Sequence, residues 1–418
     1  MDLEQQLREA YAEQLAEVDL SGGDVDAARR TGARMRAKRR LAVGVAAVTV
    51  AAVAVGGSLI GTGRVSIGPS RHTGHWRELP AAPLSPRANA QAVWTGREVL
   101  VIGGEKQPCP PGADCAVSDD GLSDVAAYNP DTDSWRRIES APVPVVPGDR
   151  LLAAGDFVVL RHAQRSGGSS WFVLDPDRNH WLRLRDVPKG IGDLPSVLGS
   201  VVYALAGRHV VSYDVSRGAW STLPADPITP RLAQRRVTAT PYGPVVTGVD
   251  STQPHDGRTP SMLLADVWDG ARWHRLPPSE QLANNDWTWT GTRMVDPEPF
   301  ALDGGDVNGW GRSYAMGGTL DPTSGTWGSL PDALVHPPDG DKRGWGVSAS
   351  AGDWIATFGQ VYEDSTGDVW HLPQPDGAPD YGVCAAWADG RLLAFGGSDF
   401  GADGSSGDLT NRAWLWTP

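Results

Sequence analysis

Cys109 and Cys115 bracket the stretch CPPGADC, and their spacing admits two kinds of chemistry. Six positions apart with Pro and Gly between them, they can close a small surface loop as a disulfide. Such a crosslink is worth roughly 2 kcal/mol by loop entropy and belongs to an oxidising compartment. They can also offer two thiolates to a metal, but a zinc site wants four ligands and no further His or Cys lies nearby. Cys384, in the alternating stretch YGVCAAW, reads as a free buried thiol. Acidic, glycine-rich runs occur as SDDGLSD at 118–124, DGGDVNG at 303–309 and GSDFGADGSSGD at 397–408. Their oxygens suit calcium, yet none has the EF-hand spacing, and Asp with Gly equally makes ordinary turns. The nine histidines are scattered without metal-site spacing, and no Gly-x-Ser-x-Gly elbow, phosphate loop or HExxH is present. The expectation is a protein that binds rather than catalyses, with calcium the one ion its loops bring to mind.

Tryptophan is the other residue with chemistry to offer, because sugars stack on indole faces. Trp287, Trp289, Trp310 and Trp345 lie in NDWTWTG, VNGWGR and DKRGWGV, among polar residues and glycines typical of loops, and they are the candidate ligand contacts. Half of the remaining fourteen tryptophans recur in phase. AYNPDTDSW ends at Trp135, VLDPDRNHW at Trp181, SYDVSRGAW at Trp220, VWDGARW at Trp273, TLDPTSGTW at Trp327 and VYEDSTGDVW at Trp370. Each is a strand end, an Asp/Asn/Pro/Gly turn and a tryptophan strand, hence half of a β-hairpin. With Trp76 these residues fall once per unit, which marks them as packing residues.

After each tryptophan comes a Leu-Pro-like element, as in WRELPAAPLSPR, WSTLPADPITPR, WHRLPP, WGSLPD and WHLPQP, and then a strand pair such as AQAVWTGREVLVIGGE. Variable gaps between fixed motifs mean constant strands joined by loops of different lengths. Four strands per unit make one blade of an all-β propeller, in which neighbouring blades bury the faces that one alone would expose. Gly at 51 positions and Pro at 33 fit that turn-rich architecture. The last unit ends in RAWLWTP, a third strand without a fourth, and residues 75–79 are available to supply it. This closure gives seven blades, or six if the unit 181–220 or 273–327 is incomplete.

These motifs resemble the kelch-repeat family, whose signature is a double glycine after an inner strand, a tyrosine-containing turn and a tryptophan. VLVIGGE at 99–105 and LLAFGGSD at 392–399 match well, and ALDGG at 301–305 fairly. Galactose oxidase shares that propeller type, so the resemblance raises an oxidase. Its copper site needs a cysteine-crosslinked tyrosine, a second tyrosine and two histidines, and that pattern is missing here.

The propeller is expected over 76–418, preceded by three other segments. Residues 1–40 form a helical arm in which Leu3, Leu7, Tyr11, Leu15 and Val18 share one face, followed by a basic run from Arg29 to Arg40 with seven Lys/Arg and no acid. Residues 41–63 carry no charge and are long enough to span a bilayer at about 1.5 Å per residue. Basic residues ahead of the span place the N-terminus in the cytoplasm and the propeller outside, on a short tether at 64–75. A cleaved signal peptide is the rival reading, against which the forty preceding residues argue. The layout resembles that of transmembrane anti-sigma-type regulators of actinobacteria. That resemblance implies a cytoplasmic partner such as a sigma factor, met by Leu7, Tyr11 and Leu15. The net charge of −13, carried downstream of the arm, argues against nucleic acid. The leading expectation is therefore a membrane-anchored extracytoplasmic module binding a glycan or a protein, with transmembrane signalling as the alternative.

Overall fold

A computed structural model describes residues 74–110, 121–164, 167–192, 194–252, 262–279, 286–297, 302–304, 313–315, 317–331, 345–400 and 406–418. They form seven four-stranded antiparallel sheets and two short hairpins. In chain order, blade 1 is Gln91–Trp94, Val99–Ile102, Val125–Asn129 and Ser134–Ile138, and blade 2 is Arg150–Ala154, Phe157–Ala163, Ser169–Asp175 and His180–Arg183. Blade 3 is Ser196–Leu198, Val201–Ala206, His209–Asp214 and Ala219–Thr222. Blade 4 is Leu232–Thr240, Gly243–Asp250, Leu263–Trp268 and Trp273–Arg275. Blade 5 is Thr288–Trp289, Met294–Asp296, Gly318–Asp321 and Thr326–Gly328, and blade 6 is Ala349–Ala351, Trp354–Thr357, Gln360–Glu363 and Asp368–His371. Blade 7 takes Cys384–Ala388, Arg391–Phe395 and Ala413–Thr417 from the end of the chain and His75–Glu78 from its beginning. The innermost strands touch in sequence all the way round, blade 7 meeting both blade 6 and blade 1, so the ring is closed.

The closing strand is the one expected, pairing His75 with Thr417 through to Glu78 with Trp414. Both doubtful units, 181–220 and 273–327, are complete blades, which settles the number at seven. One motif was misread. Leu302–Gly304 of ALDGG is no inner strand but one arm of a hairpin with Ser313–Ala315, inserted between the second and third strands of blade 5. The arm at 1–40, the span at 41–63 and most of the tether lie outside the described residues. Among the described residues the one helix is the 3-10 turn Thr229–Arg231, and no helix is long and apolar enough to cross a membrane.

Packing follows the two-residue period of a strand. In blade 1 Val99 and Val101 face blade 7, joining Leu393 and Phe395, while Leu100 and Ile102 face blade 2, joining Val158 and Leu160. Both middle strands are thus buried on both sides, which is why they read as unbroken apolar runs.

The recurring tryptophans hold the blades to one another by a hydrogen bond as well as by area. Each outer-strand indole donates its N–H to the carbonyl just past the outer strand of the preceding blade. Trp135 reaches Pro80 at 2.9 Å, Trp181 Glu139 at 3.0 Å, Trp273 Pro224 at 2.8 Å, Trp327 Pro277 at 2.8 Å and Trp76 Pro373 at 2.6 Å. Trp220 occupies the same position, but its buried indole nitrogen has no hydrogen-bond partner. Blade 6 departs from the pattern. Its residue opposite Tyr362 is Val369, and Trp370, one place on, turns to the other face and packs against blade 7. A one-residue shift flips a strand side chain across the sheet, so counting Trp370 as in phase was an error of one.

Replacing Trp135 with Phe keeps an aromatic ring and deletes the donor, whereas Trp220→Phe deletes no hydrogen bond. Urea unfolding should show Trp135→Phe about 1 kcal/mol less stable than Trp220→Phe, the net worth of one such bond. Equal losses would remove the indole hydrogen bond as a stabilising contact.

Candidate functional site

In each blade the chain runs up and down, so its connections alternate between the two faces of the ring. On one face every connection is a turn of two or four residues, from 95–98 and 130–133 in blade 1 to 389–390 in blade 7. On the other face lengths are unconstrained, including 103–124, 251–262, 276–287, 329–348 and 372–383, together with the hairpins inserted in blades 5 and 7. This loop face is the candidate site. The chain enters the ring at its opposite, tight-turn face, because the outer strand of every blade runs toward the loops and His75 begins one.

The loop face is best defined over blades 7 and 1, where it is organised by Arg87. This fully buried guanidinium meets both Asp124 carboxylate oxygens at 2.6 and 2.7 Å, and donates to the carbonyls of Gly103 and Ser85. Burial works against a charge on Asp124, yet the Arg87 hydrogen bonds hold its carboxyl below the ordinary range. The Arg87 carbonyl accepts the Gly397 N–H and its own N–H meets Thr410, so the same residue ties blade 1 to blade 7. The double glycines are required here. A Cβ on Gly104 would stand 2.7 Å from the Ala88 carbonyl oxygen, and one on Gly396 would stand 2.7 Å from that of Arg87. Blade 4 repeats the device with Arg231 and Asp250 at 2.6 Å. Pro-Arg in both LSPR and ITPR was the signal for it.

On this frame stand the features that face solvent. Tyr381 is 43 % exposed and meets Phe400 of the blade 7 hairpin edge to face at 5.5 Å, while Phe358 is exposed at the blade 6 turn 358–359. Tyr242, at the tight-turn face, is also exposed, so it is the Tyr381–Phe400 pairing rather than exposure alone that marks this sector. At the rim of blade 2, the buried Asp149 accepts from the Val146 and Ala163 N–H groups and lies 3.0 Å from Nδ1 of His162. Asp149 therefore fixes the histidine ring, but among the described residues no hydroxyl or thiol stands within hydrogen-bond distance of it.

Of the four tryptophans singled out from sequence, the three among the described residues do not converge. Trp287 is buried between blades 4 and 5, packed edge to face on Trp327. Trp345 is buried between blades 6 and 7 and donates to the Pro379 carbonyl at 2.9 Å. Trp289 is half-buried beside Tyr242, toward the tight-turn face, and Trp310 lies outside the described residues, as do Leu7, Tyr11 and Leu15. Cys109 is disulfide-bonded, Cys115 lies outside the described residues, and Cys384 is free and buried, its thiol pushed up to about 12 by that burial. Of the acidic runs, Asp124 is committed to Arg87 and Asp399 accepts the Asp380 N–H. Among the described residues no three His, Cys, Asp or Glu side chains converge as a metal site requires.

No family model matches the chain, and no curated protein is significantly similar to it. The reading of the site therefore rests on its own geometry.

Asp124→Ala leaves the Arg87 charge buried and unpaired, and should cost about 3 kcal/mol in denaturant unfolding, with Asp124→Asn costing less. Because the Asp124 carboxyl is held low, the pair contributes fully above the ordinary aspartate value of about 3.9 and fades as pH falls below it. A difference between wild type and Asp124→Asn that is unchanged down to pH about 2 would count against the ion pair.

Proposed function

We propose that this protein is an interaction module: a kelch-type propeller carried outside the cell on a single membrane span, whose loop face holds a glycan or a protein. The observation that carries this reading is the division of labour between the two faces. Every connection on one side is a turn of two or four residues, and the chain enters there. All the long connections and the Tyr381–Phe400 pair are on the other. The long connections are where such propellers have room to meet a partner. Kelch character is supported by the double glycines at 103–104 and 396–397, both in the left-handed conformation that the inner-strand ends need. A binding role also accounts for the loop lengths without asking any side-chain cluster to perform a reaction.

The second reading, transmembrane signalling, draws on the apolar face of the arm at Leu7, Tyr11 and Leu15 and needs the same loop face as its sensor. The two differ in whether residues 1–40 have a cytoplasmic partner.

Full-length protein in detergent, offered to a glycan array and to cell-surface proteins, should capture a partner. Tyr381→Ser with Phe400→Ser should weaken that capture at least tenfold, and Tyr242→Ser, on the opposite face, should leave it unchanged. Loss of capture through Tyr242 but not through Tyr381 and Phe400 would place the binding surface on the wrong face for this proposal.

A further inference from the structure

The seam between blades 3 and 4 joins Val210 to Val237 and Val246, with Tyr203, Leu205, Leu223, Leu232 and Trp273 packed against them, and two carboxylates are buried there as well. Asp226 comes from the loop-face connection 223–231 and Asp266 from the third strand of blade 4, and each side chain is 1 % exposed. Asp226 accepts the Ile228 N–H at 2.8 Å and the Thr229 hydroxyl at 2.5 Å, so it shapes the turn that its own connection makes. Asp266 receives Arg275 Nε on one oxygen at 2.6 Å, while its other oxygen is buried with no partner. Arg235, from the inner strand, gives one hydrogen bond to the Gly207 carbonyl of blade 3 and approaches Asp226 only to 3.6 Å. Its Nε and Nη2 are also buried without hydrogen bonds. An orphaned carboxylate oxygen beside a second carboxylate is a place for a proton, because two such anions side by side in a dry seam repel each other.

We propose that Asp266 holds a proton beside the Asp226 carboxylate, and that this proton sets how firmly the 223–231 connection is held against blade 4. With the proton on Asp266, that carboxyl is neutral and no longer repels the Asp226 carboxylate, so the loop lies stably against the sheet. Without it the same atoms repel, and the hydrogen bonds from Ile228 and Thr229 lose their fixed acceptor. Burial above all, and then the Asp226 charge, push the Asp266 carboxyl up to about 6 against the opposing pull of Arg275. The folded state therefore keeps a proton that the unfolded chain gives up near pH 4, and stability falls as pH rises from about 4 to about 6. The other groups on the seam are Arg231, taken up by Asp250, with Tyr203 and the exposed His209 from blade 3, whose ring meets the Leu223 carbonyl. The inference is independent of what the loop face binds. It makes one sector of that face responsive to mild acid.

The test uses full-length protein. Asp266→Asn imitates the protonated form. Relative to it, the wild-type unfolding equilibrium constant should rise about a hundredfold between pH 4 and 7, the factor that two pK units supply. Over the same range, amide exchange in 223–231, corrected for its chemical rate, should speed up in wild type and stay level in the variant. His209→Gln should leave both responses intact. Wild type and Asp266→Asn following one pH curve would overturn the proposal, as would loss of the response in His209→Gln. Should Asp266→Asn fail to fold, infrared spectra of wild type decide. A protonated-carboxyl band titrating near pH 6 supports the proton on Asp266, and the absence of any such band above pH about 5 rules it out.

Discussion

The hydrogen bond from an outer-strand indole to the exit carbonyl of the preceding blade, made at five of the seven seams, is the contact on which most of the ring depends. An outer strand ends when a Leu or its equivalent gives the last sheet hydrogen bond, as Leu79 does to Ala413 and Leu276 to Ala265. The next carbonyl then points along the seam with no strand left to receive it. An indole is the one side chain that fills the wedge between two twisted sheets and also brings a donor to that atom. The bond fixes the angle and the height of each blade on its neighbour. It also explains why the repeat keeps Trp and Leu-Pro while its loops change. Residues 75–80 take part twice, Trp76 reaching back to blade 6 and Pro80 receiving Trp135 of blade 1. The strand that closes the ring is thus stapled on both sides.

This interaction is also why so much of the fold was legible. A strand pair that must present Trp at one end and Leu-Pro three residues later leaves a spaced signature whatever its loops do. Phase, strand count and the exchange of the N-terminal strand followed from it. The readings that slipped did so for physical reasons. VYEDSTGDVW ends in Trp like its siblings, but the turn places Val369 opposite Tyr362, and only the register reveals it. ALDGG has the glycines of an inner strand but lies in an insertion, where glycine serves a hairpin instead. Trp287 and Trp345 have polar and glycine neighbours, yet neighbours along a strand or rim face opposite sides and say nothing about burial. Tyr381 and Phe400 carried no signal at all, since exposure in a connection depends on what packs beneath it. Arg87 was in view, twice, as Pro-Arg, and went unread because a buried arginine is recognisable only with its carboxylate.

The contrast between the faces has a thermodynamic origin. A turn of two or four residues has to match the twist of the strands it joins, and each added residue there would break register. The connections on the other side close over an ordered frame, and lengthening a loop costs only about 0.6 kcal/mol per doubling. Insertions accumulate where they are cheap. The frame that allows it is polar: Arg87 with Asp124 in blade 1, Arg231 with Asp250 in blade 4. Each anchors the root of a connection so that the residues beyond it need not contribute to folding.

Seams in a ring are not independent, because closing six fixes the seventh. Blade 7 is made from two ends of the chain and carries the largest chain-entropy cost of assembly. The seam it shares with blade 6 contains Trp76, Trp345, Trp354, Trp370, Trp387, Trp414 and Trp416 in mutual contact. At about 25 cal/mol per Å2, and with each indole burying on the order of 200 Å2, that seam holds more apolar free energy than its neighbours. The seam between blades 3 and 4, far from the closure, has three buried valines and five partly buried hydrophobics, with two buried carboxylates beside them. Trp220, in the adjoining blade 3, lacks the indole hydrogen bond. A ring closed this tightly at one place can tolerate a soft joint at another, since opening that joint alone leaves the remaining blades paired.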